Sequence, residues 1–441
     1  MGVANEKVDA PDPSTPTPGP RGPNMRTRLL VLVSCLVAGL LAVEGIMRYL
    51  LFDPGEMAVW WGRDLRHPEL FAAHMYEDEY WRLEWLLRVD EKKAAAPLYD
   101  ELLGWTSGRV RPGTYDYRID VKLAERRPIL MYGASYTDCI TGNGECFPRL
   151  LADSPLHDRY ALYNFGVGGH GCGQTLTLMR QTLDRFVEQN PVVVIGLVAD
   201  NDFQRCSLEF RSWPKLKLVR QGEELVPSGP VPAGGPAPYI ETHGTGIGSY
   251  AWRYLLYAPG VLPRSWQHAL RASAAQQDEQ DALVQGIVLA MRDELEERGL
   301  EYFFILSTSP RTLPPRDTSH LERLLVRLLD EEQIPYASGR RYVEWATGHF
   351  ETELDSLFFL DGAMRNHPNL EGNLLIFEAL KRGLGGKFSP PDRPWVGLEN
   401  RVHEGRNDRR GLKDDEYDGS GKQQGDHGSE PPVRALPERD E

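Results

Sequence analysis

A serine becomes a nucleophile where its hydroxyl is exposed beside a base and where preorganised donors can take up negative charge. The segment Ile129-Leu130-Met131-Tyr132-Gly133-Ala134-Ser135-Tyr136-Thr137 offers such a residue. Ser135 follows an apolar run and a glycine, which places it at the carboxyl end of a strand, where open α/β sheets bind their ligands. Read alone, Ser135 is equally a helix cap. A second segment, Asn164-Phe165-Gly166-Val167-Gly168-Gly169-His170-Gly171, is a glycine-rich loop after another apolar run. It either approaches a substrate closely or simply turns tightly. No Gly-Lys-Ser/Thr follows it, which sets a nucleotide-phosphate loop aside. In a third, the run Val192–Val198 ends in Ala199-Asp200-Asn201-Asp202, and Asn201 by itself reads as a turn residue. The fourth, Asp361-Gly362-Ala363-Met364-Arg365-Asn366-His367-Pro368-Asn369, is followed by Glu371-Gly372-Asn373 and the helical run Leu374–Leu380. It supplies His367, whose ordinary pKa near neutrality suits a general base.

These segments need a scaffold that brings them to one edge. The apolar runs Pro128–Tyr132, Tyr160–Phe165, Val192–Val198 and Tyr302–Leu306 alternate with amphipathic stretches such as Gly173–Glu188 and Gln277–Arg298. That alternation predicts an α/β fold, a three-layer α/β/α sandwich of flavodoxin-like type with a mainly parallel sheet, over residues 127–386. Residues 208–265 are rich in Pro, Gly and Trp and read as an insertion over one edge. Residues 53–126 form a helical or irregular extension. Within it, 69–89 has helical spacing, with Trp81 and Trp85 on one face, and is predicted to pack on the main domain rather than stand as a stalk. The Pro- and Gly-rich stretches 1–24 and 387–441 are expected to be disordered.

Arg26 and Arg28 introduce the apolar run Leu29–Phe52, about 36 Å long as a helix and sufficient to cross a bilayer. Its charges, Glu44 and Arg48, lie four apart on one face near the far end. A cleaved signal peptide is the competing reading, but a small-x-small site is lacking and the run continues past where cleavage would fall. Leu32-Val33-Ser34-Cys35 resembles a bacterial lipobox, yet the apolar run extends well beyond it, so Cys35 reads as a membrane-buried thiol. The expectation is an uncleaved, single-pass anchor at 25–52, with the N-terminus cytoplasmic and the body on the extracytoplasmic side of the cell membrane.

With 64 acidic against 50 basic residues, a formal charge of −14, the chain has the wrong sign for a nucleic-acid binder. Five cysteines without CxxC spacing point to neither a metal site nor redox chemistry, and no cofactor is predicted. In an oxidising compartment a bridge is expected among Cys139, Cys146 and Cys172, Cys139 to Cys146 first.

In this order the four polar segments resemble the SGNH/GDSL-like hydrolase superfamily in its membrane-anchored bacterial form, over roughly residues 98–383. Gly133-Ala134-Ser135-Tyr136-Thr137 resembles the GDS block, Asn164 to Gly171 the glycine block and Asn201-Asp202 the Gly-x-Asn-Asp block. His367-Pro368-Asn369 with Gly372-Asn373 resembles the final Asp-x-x-His block. Tyr99-Asp100-Glu101-Leu102-Leu103-Gly104-Trp105 is similar to the Asp-Pro-x-x-Gly-Trp segment that precedes the domain in anchored members. Two positions depart from the pattern: Ala134 stands for the Asp of the GDS block, and Met364 for the acid three before the histidine. Asp361 is the nearest substitute.

The resemblance implies a serine esterase working through an acyl-serine intermediate. Ser135 is its nucleophile, His367 its base, and Asp361 the acid that orients the base. The oxyanion donors are the backbone N–H groups of Ser135 and Gly169 and the Asn201 amide. Its substrates would be acylated small molecules, glycans or lipids of the cell envelope. Transfer of the acyl group to a sugar hydroxyl, or a weakened fold that only binds acylated glycans, are the alternatives.

Overall fold

The computed structural model describes residues 24–391, apart from 74–76, 88–97, 124, 140–145, 212, 223, 264, 268–273, 314–317, 351–352 and 361–364. Asp361 and Met364, and nearly all of the predicted N-terminal stub and tail, therefore lie outside the described residues.

Five strands form one parallel sheet: β1 (Arg127–Gly133), β2 (Tyr160–Gly166), β3 (Val192–Val198), β4 (Glu301–Ser307) and β5 (Tyr336–Ser338), in the order β5-β4-β3-β1-β2. Four extend the predicted apolar runs by a residue or two at most. The fifth has only three residues and one fully buried side chain, so it leaves no apolar run to read. β1 to β3 are buried along almost their whole length, as strands covered on both faces must be.

The helices that matter to the site are α1 (Met25–Phe52), α2 (Asp78–Leu87), α3 (Ser135–Asp138), α4 (Cys172–Thr182), α5 (Ala199–Asp202), α6 (Tyr250–Tyr257), α7 (Ala274–Glu297), α8 (His320–Glu331), α9 (Gly339–Phe350) and α10 (Leu370–Gly383). On one face of the sheet Leu130, Tyr132, Phe165, Ile195 and Phe304 share a core with Leu176 and Met179 of α4, Val284 and Val288 of α7 and Leu325 of α8. On the other, α9 and α10 pack on each other and on β4. There α10 approaches so closely that a Cβ on Gly383 would lie 2.4 Å from the Phe303 ring. The chain is thus a three-layer α/β/α sandwich.

Several expectations change at their edges. The predicted helix over 69–89 is a 3-10 turn at Pro68–Leu70 followed by α2, whose Tyr80 and Trp81 pack with Phe210 and Tyr239. The amphipathic stretch 173–188 is helical only to Thr182 and then tightens into 3-10 turns. Residues 208–265 do more than cover an edge. They carry the hairpin Leu218–Gln221/Glu224–Pro227 against α4 and α7, and α6 against α1. The last turns of α1 belong to the body, since Leu51 is fully buried with Phe71, Leu83, Ile247 and Tyr250. Packing also continues past 387, where Arg382 and Tyr342 both donate to the Ser389 carbonyl.

Candidate active site

The sheet order reverses between β1 and β3, the crevice where a doubly wound sheet binds its ligands. Three of the four polar segments leave the sheet at this carboxyl edge. Their placement rests on three glycines at one level: Gly133 is in register with Gly166 on one side and with Gly196 on the other. A Cβ on Gly133 or Gly196 would lie 2.2 Å from Thr137 Oγ1, and one on Gly166 would lie 2.3 Å from the Asp138 nitrogen. Helical turn α3 therefore sits directly on the strand ends, and no larger residue leaves room for it.

Ser135 is the first residue of that turn and not its cap: the N-cap is Ala134, which makes no side-chain cap. Ser135 is 8% exposed, and its Oγ lies 2.9 Å from His367 Nε2. The histidine arrives from 232 residues further along the chain, on the loop before α10. That loop is pinned on several sides. The Phe359 N–H donates to the His367 carbonyl at 3.0 Å, the Asn366 N–H to the Phe359 carbonyl at 2.8 Å, and the Tyr136 hydroxyl to the Asn366 carbonyl at 2.5 Å. Asn366 adopts φ +66°, a left-handed conformation that asparagine tolerates. Asn369 caps α10 by accepting the Gly372 N–H at 3.2 Å.

The glycine loop is fixed from outside the sheet. Trp105 Nε1 donates to the Gly168 carbonyl at 3.0 Å, and Arg211 Nη1 to the Gly169 carbonyl at 3.3 Å. Gly169 has φ +85°, and a Cβ there would fall 2.5 Å from Arg211 Nη1, so both backbone and space require glycine. Among the described residues nothing accepts the Gly169 N–H or the Ser135 N–H, and the Asn201 side-chain amide makes no hydrogen bond.

Neighbouring titratable groups are otherwise engaged. His170 is fully buried, and its ring is held neutral, with burial lowering its pKa to about 3; Nε2 donates to the Trp105 carbonyl at 2.9 Å. Asp202 accepts the Val198 N–H at 2.7 Å with one oxygen and faces Arg205 at 3.4 Å with the other. Its carboxylate thus braces the α5 turn that carries Asn201.

Sequence reasoning overlooked Arg109, Asp138 and Arg211. The Arg109 guanidinium donates to the carbonyls of Asn164, Asp138 and Gly166 at 3.1, 3.3 and 2.7 Å and pairs with the Asp138 carboxylate. The other Asp138 oxygen accepts the Gly168 N–H at 2.9 Å. One ion pair thereby ties the Ser135 turn to the glycine loop.

Two disulfides flank the site. Cys139–Cys146, the expected bridge, closes the chain just after α3. Cys172–Cys206, not expected, joins the start of α4 to the end of the Asn201 segment.

No family model matches the chain, and no curated protein matches it. Among solved structures it is similar to an acetyl xylan esterase (14% identity, 58% of this chain and 99% of that one, TM-score 0.32). It is similar also to an acetylxylan esterase from Geobacillus stearothermophilus (14% identity, 60% and 97%, TM-score 0.31). A third is the lipase/acylhydrolase from Enterococcus faecalis (14% identity, 60% and 100%, TM-score 0.31). By its own strand order and layers, the chain has the α/β/α sandwich that the SGNH/GDSL-like resemblance implies.

Proposed function

We propose that this chain is a serine ester hydrolase held to a membrane by α1. The observation that carries the reading is the 2.9 Å contact between Ser135 Oγ and His367 Nε2 at the switch point of the sheet. In this reading His367 takes the Ser135 proton as the hydroxyl oxygen attacks an ester carbonyl. The carbonyl oxygen becomes negative and is met by the N–H groups of Ser135 and Gly169 and by the Asn201 amide. Each such donor is typically worth roughly 2.7–4 kcal/mol of barrier. His367 then passes its proton to the leaving alkoxide, and water, deprotonated by the same ring, releases the acid from the acyl-serine. Asp361 is the acid proposed to hold the imidazole tautomer.

The substrates proposed are acylated glycans or lipids of the cell envelope. This follows from the anchor, with Arg26 and Arg28 at the start of α1 on the cytoplasmic side and the body beyond its far end. The test is labelling of purified protein with a fluorophosphonate probe beside hydrolysis of a short-chain nitrophenyl ester. Both are expected in wild type and lost in S135A. Equal labelling of S135A and wild type would overturn the assignment of the nucleophile.

A further inference from the structure

From Met25 to Val43 every residue of α1 is exposed, and from Glu44 onward positions 44, 47, 50 and 51 are covered, at helical spacing. The uncovered part is about 28 Å long at 1.5 Å per residue, close to the roughly 30 Å hydrocarbon thickness of a bilayer. Where the covered part begins, the charges of the helix turn to the body. Glu44 Oε2 accepts the Ser249 hydroxyl at 2.9 Å and the Ala251 N–H at 3.0 Å, while Arg48 donates to the Gly248 carbonyl at 3.0 Å and lies over the Tyr250 ring. Neither charge needs lipid or water for a partner.

Around this same level the body exposes large apolar side chains. Trp60 and Trp61 are 75% and 64% exposed, on a short helix whose Gly62 abuts the Leu50 carbonyl of α1. On α6, which packs along α1, Trp252 is 51% exposed and Leu255 36%. Trp266 is 63% exposed, and its neighbour Gln267 ties that turn to α6 through the Leu255 and Ala258 carbonyls. Singly such residues are ordinary on a surface; grouped around one helix end they are not. Tryptophan is the side chain favoured at the headgroup level, with an apolar body and a polar N–H.

We infer that Trp60, Trp61, Trp252, Leu255 and Trp266 form a collar seated in the headgroup region of the bilayer. The membrane surface then crosses α1 near Glu44, so the span is Met25–Val43 and not the whole apolar run to Phe52. The occupant is lipid because the collar continues the fully exposed apolar surface of α1. The inference rests on the anchored reading proposed above. It adds that the body is held against the membrane at a fixed tilt and does not swing on a tether.

The test uses the full chain in nanodiscs of phosphatidylcholine and phosphatidylglycerol, with spin labels at single thiols. Cys35 is the free thiol among the described residues and lies within the proposed span. Labelled wild type therefore reports the span, and C35S/W60C, C35S/W252C and C35S/W266C report the collar. C35S/E188C, on the exposed 3-10 turn before β3, is the aqueous reference. Collision with a water-soluble nickel chelate is expected to fall several-fold at 60, 252 and 266 relative to 188, with oxygen collision highest at 35. If the three collar labels match 188 while 35 stays deep, the collar is overturned and the anchor stands. If 35 is itself aqueous, the anchored reading falls and the collar with it.

Discussion

Arg211 Nη1 donates to the Gly169 carbonyl while the guanidinium carbon lies 5.1 Å over the Trp81 ring, so a residue of the 208–265 segment reaches the loop proposed to stabilise the oxyanion. With Trp105 on the preceding carbonyl, this fixes where the Gly169 N–H points. R211M should lower kcat by at least about tenfold and leave KM near wild type, short of the 10²–10³ typical of deleting a donor. The R211M fold should survive, because burial disfavours the Arg211 charge and its Nε has no partner, which offsets the lost Gly169 bond. Steady-state kinetics with a short-chain ester, beside a thermal melt, decides it. An unchanged kcat would remove Arg211 from the positioning of the loop.

D361N tests the acid. If Asp361 orients His367, turnover should fall by orders of magnitude without loss of folding, as it does when a triad acid becomes an amide. H367A should abolish turnover whichever group orients the ring. Near-wild-type turnover in D361N would assign that task to another group.

The Cys172–Cys206 bridge closes a loop with a sequence separation of 34, which in the chain-entropy account is worth roughly 3–4 kcal/mol. C172A/C206A should lower the urea midpoint accordingly, and reductant should lower the wild-type midpoint by more than that of the double variant, which keeps the Cys139–Cys146 bridge. A wild-type midpoint insensitive to reductant would show that the bridge contributes little.

Lys215 is buried with its ammonium on the Leu216 carbonyl at 2.9 Å, and burial lowers its pKa to about 7 from 10.5. Between these values the unfolded chain binds the extra proton, so this residue makes stability rise with pH from about 7 upward. Urea unfolding at pH 7 and pH 9 should show the rise in wild type and a flatter response in K215M. The same rise in both proteins would assign the effect elsewhere.

The sheet was legible because strands buried on both faces leave continuous apolar runs, and β1 to β4 each left one. β5 did not, since three residues at a sheet edge carry no pattern. Ser135, Gly169, Asn201 and His367 were readable as polar groups placed just after apolar runs or before a helix. Arg109, Asp138 and Arg211 were not, because their roles lie in contacts between segments distant in sequence. The partner of Cys172 was hidden in the same way: Cys206 is near it only once α5 has turned back toward α4. The end of the proposed membrane span was masked too, since Met47, Leu50 and Leu51 are as apolar as the exposed residues earlier in α1 and differ only in what covers them.

The 232-residue separation of Ser135 and His367 also sets a clock. At a synthesis rate of roughly 5–20 residues per second, the histidine is made some 10–50 s after the serine. β1, β2 and β3 are all made early in that interval, by Val198, while the base proposed for the hydroxyl at their edge is still to come. On the proposed mechanism the nascent chain is chemically silent until α10 docks, and a ribosome that stalls before residue 367 releases an inert product. On that proposal the appearance of activity after synthesis begins reports docking of α10, a long-range and hence slow event in folding.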